Sequence, residues 1–186
     1  MPRIQDDAGP FRIFAAEEAI VSGGISSAMW QLPKAVSLVA GHGEGLTEIN
    51  AFDRALQDAR VADINFLRVT SIFPPRAKVI ELPSYPAGLL LPAVYARIAS
   101  TRTGDRISAA IGIGIAGESH GVIMEHSAHA PRAEVEAAVR TMGEEGCRIR
   151  GLRVEEIVVA AAEHTVQRAG CVVAVALFWP EANGLR

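Results

Sequence analysis

The stretch RVTSIFPP at residues 68–75 sets two adjacent hydroxyls, Thr70 and Ser71, at the end of an apolar run and just ahead of Pro74 and Pro75. The prolines rule out a helical continuation, because each lacks a backbone N–H and forces its predecessor toward an extended conformation. A hydroxyl in that place is either the hydrated end of a strand or a nucleophile. Glu125 closes a second apolar run, Val122-Ile123-Met124. Such a carboxyl can have its pKa raised by desolvation and carry a proton near neutral pH, or it can sit in water at a strand end. Asp53, between Phe52 and Arg54, falls on the polar side of a helical pattern, as an exposed acid or a ligand for a cation. Asn65 opens the run that leads to Thr70 and reads by itself as a turn residue. Taken singly, none of these residues decides its own role.

Two other patterns imitate known chemistry and are set aside on physical grounds. GIGIAG at 112–117 matches the dinucleotide-binding string, but that site needs a helix opening on the loop to hold the pyrophosphate, and here the strand-like ESHGVIMEH follows. Glycines in a tightly packed strand pair are the reading instead. His120, His126 and His129 cluster with Glu125, yet no H-E-x-x-H spacing brings two imidazoles together, and no metal site is expected.

The elements that must position these residues follow from periodicity and turn chemistry. AVSLVAG (35–41) reads as a strand leading into a glycine loop. Thr47 then caps a helix whose Ile49, Phe52, Leu56 and Ala59 recur at the spacing of one buried face. INFLRVTSI (64–72) reads as one strand, and further strands are predicted over 77–82, 92–100, 106–117 and 120–126. Pro131 opens a second helix, with Val135, Ala138, Val139 and Met142 on its apolar face and Gly146 as its stop. Strands over 155–166 and 170–179 complete an α+β pattern, with the Ala-rich first of these open to a helical reading. Residues 1–29 form an N-terminal extension, in part disordered and in part a short helix over 11–20, and residues 30–186 form one domain.

Composition excludes several classes. The chain has 186 residues, 49% of them apolar and 21% charged, enough to bury a core. A net charge of -3 gives no global attraction to nucleic acid, and RIRGLR (148–153) is the one local basic cluster. Cys147 and Cys171 fit two thiols in a reducing compartment. The opening MPRIQDDAGP lacks the basic head and apolar stretch of a signal peptide, and no apolar run is long enough to span a bilayer. A cytoplasmic location is the expectation.

Together, VSLVAG (36–41), NAFDRAL (50–56), NFLRVTSIFPP (65–75), GVIMEH (121–126) and EHTVQRAGC (163–171) resemble the pyruvoyl-dependent arginine decarboxylases, in the same order over residues 31–179. The resemblance implies a four-layer αββα sandwich of two antiparallel sheets flanked by helices, assembled as a trimer or hexamer with active sites between protomers. It implies a proenzyme that cuts itself between Thr70 and Ser71. The Ser71 hydroxyl adds to the Thr70 carbonyl, the amide becomes an ester, and elimination leaves a dehydroalanine that hydrolyses to a pyruvoyl group with loss of ammonia. A β chain of residues 1–70 and an α chain of residues 71–186 result, with no pyridoxal phosphate and no metal. The ketone would take up the substrate amine as a Schiff base and act as the electron sink for decarboxylation.

By the same resemblance Glu125 is the proton donor, Asn65 stands beside the pyruvoyl group, and Asp53 and Ile72 contact the substrate, Asp53 pairing with its guanidinium. L-arginine would be converted to agmatine and CO2. Arg54 and His126 depart from the pattern beside Asp53 and Glu125, which leaves aspartate or lysine as alternative substrates. An unprocessed, non-catalytic amine-binding homologue is the alternative from another class.

Overall fold

The computed structural model describes residues 32–182, so the readings made for residues 1–29 lie outside the described residues. The elements in chain order are β1 (Ala35–Glu44), α1 (Glu48–Asp58), β2 (Ile64–Arg68), β3 (Ile72–Phe73), β4 (Lys78–Val79) and β5 (Leu89–Ser100), followed by β6 (Arg106–Ile115), β7 (Gly121–Ala128), α2 (Arg132–Arg148), β8 (Glu156–Thr165) and β9 (Gly170–Trp179). One sheet has the order β2-β5-β9-β1-β4 and the other β3-β7-β6-β8. The long strands pair antiparallel throughout. The short edge strands β2 and β4 of the larger sheet run parallel to β5 and β1.

Alternation along the strands builds the layers. From β1, Val36 and Leu38 face a core between the sheets, together with Val172, Ala174 and Ile111. Ala35 and Val39, of opposite parity, face a second core beneath α1. A third core joins α2 to the smaller sheet through Ala110, Val135 and Val139. The order is therefore α1, five-stranded sheet, four-stranded sheet, α2, which is the expected αββα sandwich. Strand β9 is buried along its whole length, and its near-continuous apolar sequence, GCVVAVALFW, matches a strand covered on both faces.

Helix α1 begins where it is expected, with the Thr47 side chain accepting a hydrogen bond from the Asn50 N–H. Its buried face differs from the periodic reading. Ile49 is 64% exposed, while Ala51, Ala55 and Ala59 are buried and Phe52 and Leu56 flank them half-buried. The cause is the opposing strand. A Cβ at Gly41 would stand 2.5 Å from the Ala59 nitrogen, and one at Gly45 2.5 Å from that of Ala51. Glycines on the strand and alanines on the helix allow the two backbones to approach closely, so the small residues, not the large ones, take the inner face.

The second correction concerns α2, where Gly146 lies inside the helix and not at its end. A Cβ there would meet the Met124 methyl at 2.4 Å. The helix ends at Arg148 and the chain turns away at Gly151, whose φ of +69° an L side chain rarely adopts, with the Leu152 N–H returning to the Cys147 carbonyl at 3.0 Å. Gly112, in the GIGIAG string, packs against α2 in the same manner, with Val139 Cγ1 2.6 Å from where its Cβ would be. The packed-strand reading of that motif accounts for it.

The third correction is the one that matters for chemistry. Residues 64–72 are not one strand. β2 ends at Arg68 in the five-stranded sheet, and β3 starts at Ile72 in the other. Residues 69–71 carry the chain from one sheet to the other. The reason is pairing, since the Val69 N–H still donates to Ala93 of β5 at 3.1 Å while the Ser71 carbonyl already accepts from Ile123 of β7 at 2.9 Å.

Candidate functional site

Thr70 is exposed and Ser71 half-buried at this crossing. On β7, Ile123 points into the core between the sheets, and Glu125, two residues on, shares its face at the open end of the sandwich. The result is a meeting of two sequence candidates, with Ser71 Oγ 3.5 Å from Glu125 Oε2. That distance is long for a hydrogen bond and short enough for proton traffic after a small approach. Positive φ at non-glycine residues occurs, among the described residues, at Arg60 and Arg76. Thr70 and Ser71 are therefore set apart by their place between two sheets and not by a left-handed backbone.

Beside Glu125 a recess opens along the edge of β5, lined also by Arg68, Tyr95, Arg97, His126 and Ser127. It exists because β2 pairs with β5 only as far as Ala93, where the chain departs toward the second sheet. Beyond that point the Arg97 carbonyl accepts from Ser127 Oγ at 3.3 Å. The Arg68 guanidinium lies over the Tyr95 ring, 4.9 Å from its centroid, and that of Arg97 over Phe52 at 4.3 Å. Ile72, 42% exposed, gives an apolar surface next to Ser71.

Asp53 lies elsewhere. It lines a groove with His42, Glu44, Asn50, Arg54 and His164, between α1 and the end of β1. Its Oδ2 accepts from Gln57 Nε2 at 2.9 Å, an i to i+4 bond along the helix. β9 separates β1 from β5 in the sheet, and the groove and the recess share no lining residue. Asn65 is also apart from Ser71. It sits at the far end of β2, up to about 20 Å back along extended chain at about 3.3 Å per residue, with Nδ2 donating to the Gly88 carbonyl at 3.1 Å. The fold thus joins Ser71, Glu125 and Ile72, and leaves Asp53 and Asn65 outside that group within one chain.

The groove contains a carboxylate that sequence reasoning did not single out. Glu44 Oε1 accepts from the Gln167 N–H at 2.8 Å and lies 2.6 Å from His164 Nε2, while Oε2 accepts from Arg168 and Ala169 N–H at 3.1 Å each. Burial pushes its pKa up, but these four hydrogen bonds outweigh burial and hold it below the usual carboxylate value. His42 stacks on His164, with ring centroids 4.9 Å apart. Glu44 thereby ties β1 to the turn between β8 and β9 and fixes the imidazole wall facing Asp53. The one sequence signal was that His164 belongs to the EHTVQRAGC segment, and a lone Glu within a glycine loop carries no such message.

Competing nucleophiles are weak. Cys147 and Cys171 are fully buried free thiols, and burial pushes both pKa values up, against the thiolate that attack requires. His126 faces the recess, whereas His129 Nδ1 lies 3.6 Å from Asp105 Oδ2, so these two imidazoles diverge. Among the described residues no helix is long and apolar enough to cross a membrane.

The family model for pyruvoyl-dependent arginine decarboxylase matches residues 35–183. A curated pyruvoyl-dependent arginine decarboxylase of Methanocaldococcus jannaschii is 42% identical over 154 residues, 82% of this chain and 93% of that protein. That of Pyrococcus horikoshii is 41% identical over 154 residues, 80% of this chain and 98% of its own. That of Methanococcus maripaludis strain C6 is 38% identical over 152 residues, 81% of this chain and 93% of its own.

Proposed function

The chain belongs to the pyruvoyl-dependent arginine decarboxylase family, and from that premise we propose that it cleaves itself between Thr70 and Ser71 and decarboxylates L-arginine to agmatine and CO2. The observation that carries this reading is the Ser71 hydroxyl facing the Glu125 carboxylate at 3.5 Å where the chain changes sheets. The residues present fit the group. Ser71 presents its hydroxyl beside a proton acceptor, the Thr70 side of the bond is exposed, and the Ser71 carbonyl is held by the Ile123 N–H.

In the cleavage Ser71 Oγ attacks the Thr70 carbonyl and the acyl group moves from nitrogen to oxygen. Loss of the Ser71 α-proton then expels the Thr70 carboxylate. Water replaces the nitrogen, ammonia leaves, and the ketone remains at the start of residues 71–186. Once formed, the pyruvoyl group supplies a carbonyl carbon for the substrate amine and a conjugated carbonyl for the electrons of the broken C–C bond. Glu125 returns a proton to the carbon that lost CO2, and its half-burial in β7, next to the buried Val122 and Ile123, limits the access of bulk water. Ile72 bounds the substrate chain on one side.

Asp53 and Asn65 complete the site from a neighbouring copy in a trimer or a hexamer, Asn65 beside the reacting group and Asp53 at the far end of the substrate. Leu46 and Ile49, 71% and 64% exposed, lie on the Asp53 side, and the exposed Leu67 and Ile72 flank the Ser71 crossing. Leu90 stands opposite Asn65 on β5, so large apolar side chains on the Asp53 face, at the crossing and beside Asn65 support burial against a neighbouring copy. Asp53 then pairs with the substrate guanidinium, a directional charge-assisted contact. Two buried free thiols are compatible with a cytoplasmic setting. Arg54, in the same groove, favours a second reading in which it engages Asp53 and another amino acid is the substrate.

A denaturing intact-mass spectrum tests the covalent claim. Fragments 1–70 and 71–186, the second beginning with a pyruvoyl mass, are expected, and one full-length mass after long incubation would overturn it. Release of CO2 from a panel of amino acids then separates arginine from aspartate and lysine.

A further inference from the structure

We infer that Ser127 is a positioning residue for Glu125: its hydroxyl fastens the open edge of β5 to β7 beside that carboxyl, and it carries most of this task once the bond between Thr70 and Ser71 is cut. This rests on reading the chain as a self-cleaving decarboxylase in which Glu125 handles the proton.

Ser127 follows Glu125 by two residues on β7, so alternation puts both side chains on the face that Ile123 turns to the core between the sheets. Its Oγ donates to the Arg97 carbonyl at 3.3 Å. That carbonyl is open to a side chain because β2 pairs with β5 only as far as Ala93, and Arg97 turns its backbone groups to the edge that β2 has left. β7 has an open edge as well, since β3 pairs with it only at Gly121 and Val122. Among the described residues, the Ser127 bond is the one hydrogen bond that joins β5 to β7. Ala96, on the inner face of β5, lines the recess with Glu125 and Ser127.

Two covalent crossings bound this recess. Residues 69–71 carry the chain between the sheets at one end, and residues 101–105, between β5 and β6, carry it at the other. Cleavage removes the first. Val69 then stays with β5 through the Ala93 carbonyl, and residue 71 stays with β7 through the Ile123 N–H, with no bond left between them. The tie nearest Glu125 is now the Ser127 hydroxyl. The next is the turn beyond Ser100, where His129 Nδ1 lies 3.6 Å from Asp105 Oδ2. While Ser127 holds, the β5 edge stays against Glu125 and keeps the carboxyl half-buried. Without it the edge moves off, water enters, and the fixed geometry that proton delivery needs is lost.

The test uses the full chain carrying Ser127→Ala or Ser127→Thr, with cleavage checked by intact mass. Ser127→Ala should be cleaved and should lose about three- to tenfold in kcat for arginine, what one neutral hydrogen bond supplies, with KM within about twofold. Ser127→Thr keeps the hydroxyl and should recover most of the loss. Added to Glu125→Gln, Ser127→Ala should cost less than about twofold more, because it acts through Glu125. An undiminished drop in that background, or no drop beside an intact Glu125, would overturn the assignment.

Amide hydrogen exchange reads the same tie without turnover. Ser127→Ala should speed exchange over residues 94–98 and 124–128 by about tenfold in the cleaved chain and by less than about threefold in the uncleaved Ser71→Ala chain. Equal effects in the two, or none in the cleaved chain, would sink the inference. Should the wild type cleave but turn over no amino acid, the decarboxylase reading fails on that assay alone and the exchange comparison still decides the tie. A wild type that stays one chain fails the cleavage reading on its mass, and with it the larger share given to Ser127 after cleavage; faster exchange confined to those two segments in Ser127→Ala would still support the fastening, and unchanged exchange would overturn it.

Discussion

The recess at Ser71 and the groove at Asp53 flank the same strand, β9, and are built on opposite principles. The groove is finished within one chain. Glu44 makes four hydrogen bonds across it, His42 stacks on His164, and the carboxylates Glu44, Asp53 and Asp58 outnumber Arg54. The recess lies where a strand runs out of partner, on an open edge of β5, with Glu125, His126 and Ser127 along it. One is a preformed acidic cradle; the other is an open strand edge at a chain crossing. The difference teaches that a covalent step needs backbone free of the sheet ladder, whereas recognition of a distant charge needs side chains held rigidly.

The comparison breaks first at Ser71. Ser71→Ala should remain a single chain with no measurable decarboxylation, and a spectrum showing residues 71–186 from that variant would move the cleavage site elsewhere. Glu125→Gln should be cleaved yet lose about 10²–10⁴-fold in kcat, the usual worth of a positioned general acid; stopped-flow or CO2 release on the cleaved form reads it. Retention of full activity would remove Glu125 from the chemistry.

On the groove side the effects are smaller. Asp53→Asn should raise KM for arginine roughly tenfold to a hundredfold, as expected when a charge-assisted hydrogen bond worth about 1.5–3 kcal/mol is lost, with cleavage at Thr70-Ser71 unaffected. An unchanged KM would separate the groove from the substrate. Finally, Glu44→Gln should lower stability by about 1–2 kcal/mol, measured by denaturant unfolding. The pKa of Glu44 is depressed in the folded state, so its contribution is fully present above the ordinary carboxylate value and disappears as pH falls through the lower folded value. The gap between wild type and Glu44→Gln should therefore be full at pH 7 and close in acid. A gap independent of pH would assign it to packing alone.

Much of this was legible in local sequence. The Thr47 cap, the alternating apolar strands and the stop at Pro74-Pro75 act through neighbours a few residues away, and so they show in the pattern. Ser71, Glu125, Asp53, Asn65 and Ile72 were marked by the motif resemblance. Their grouping was not. Ile49 appeared to belong to a buried face because a periodicity cannot know that glycines of β1 will seat alanines against them.

What the sequence by itself determined is therefore most of the elements and the family, and it marked Ser71 as the serine to test. Only the tertiary structure decided that residues 64–72 divide between two sheets, that Glu125 meets Ser71, and that Asp53 does not. The reason is physical. Which strand pairs with which is settled by long-range ladders, here β9 between β1 and β5 and β7 beside β3, and an apolar run of the right length reads the same whether it stays in one sheet or crosses to the next.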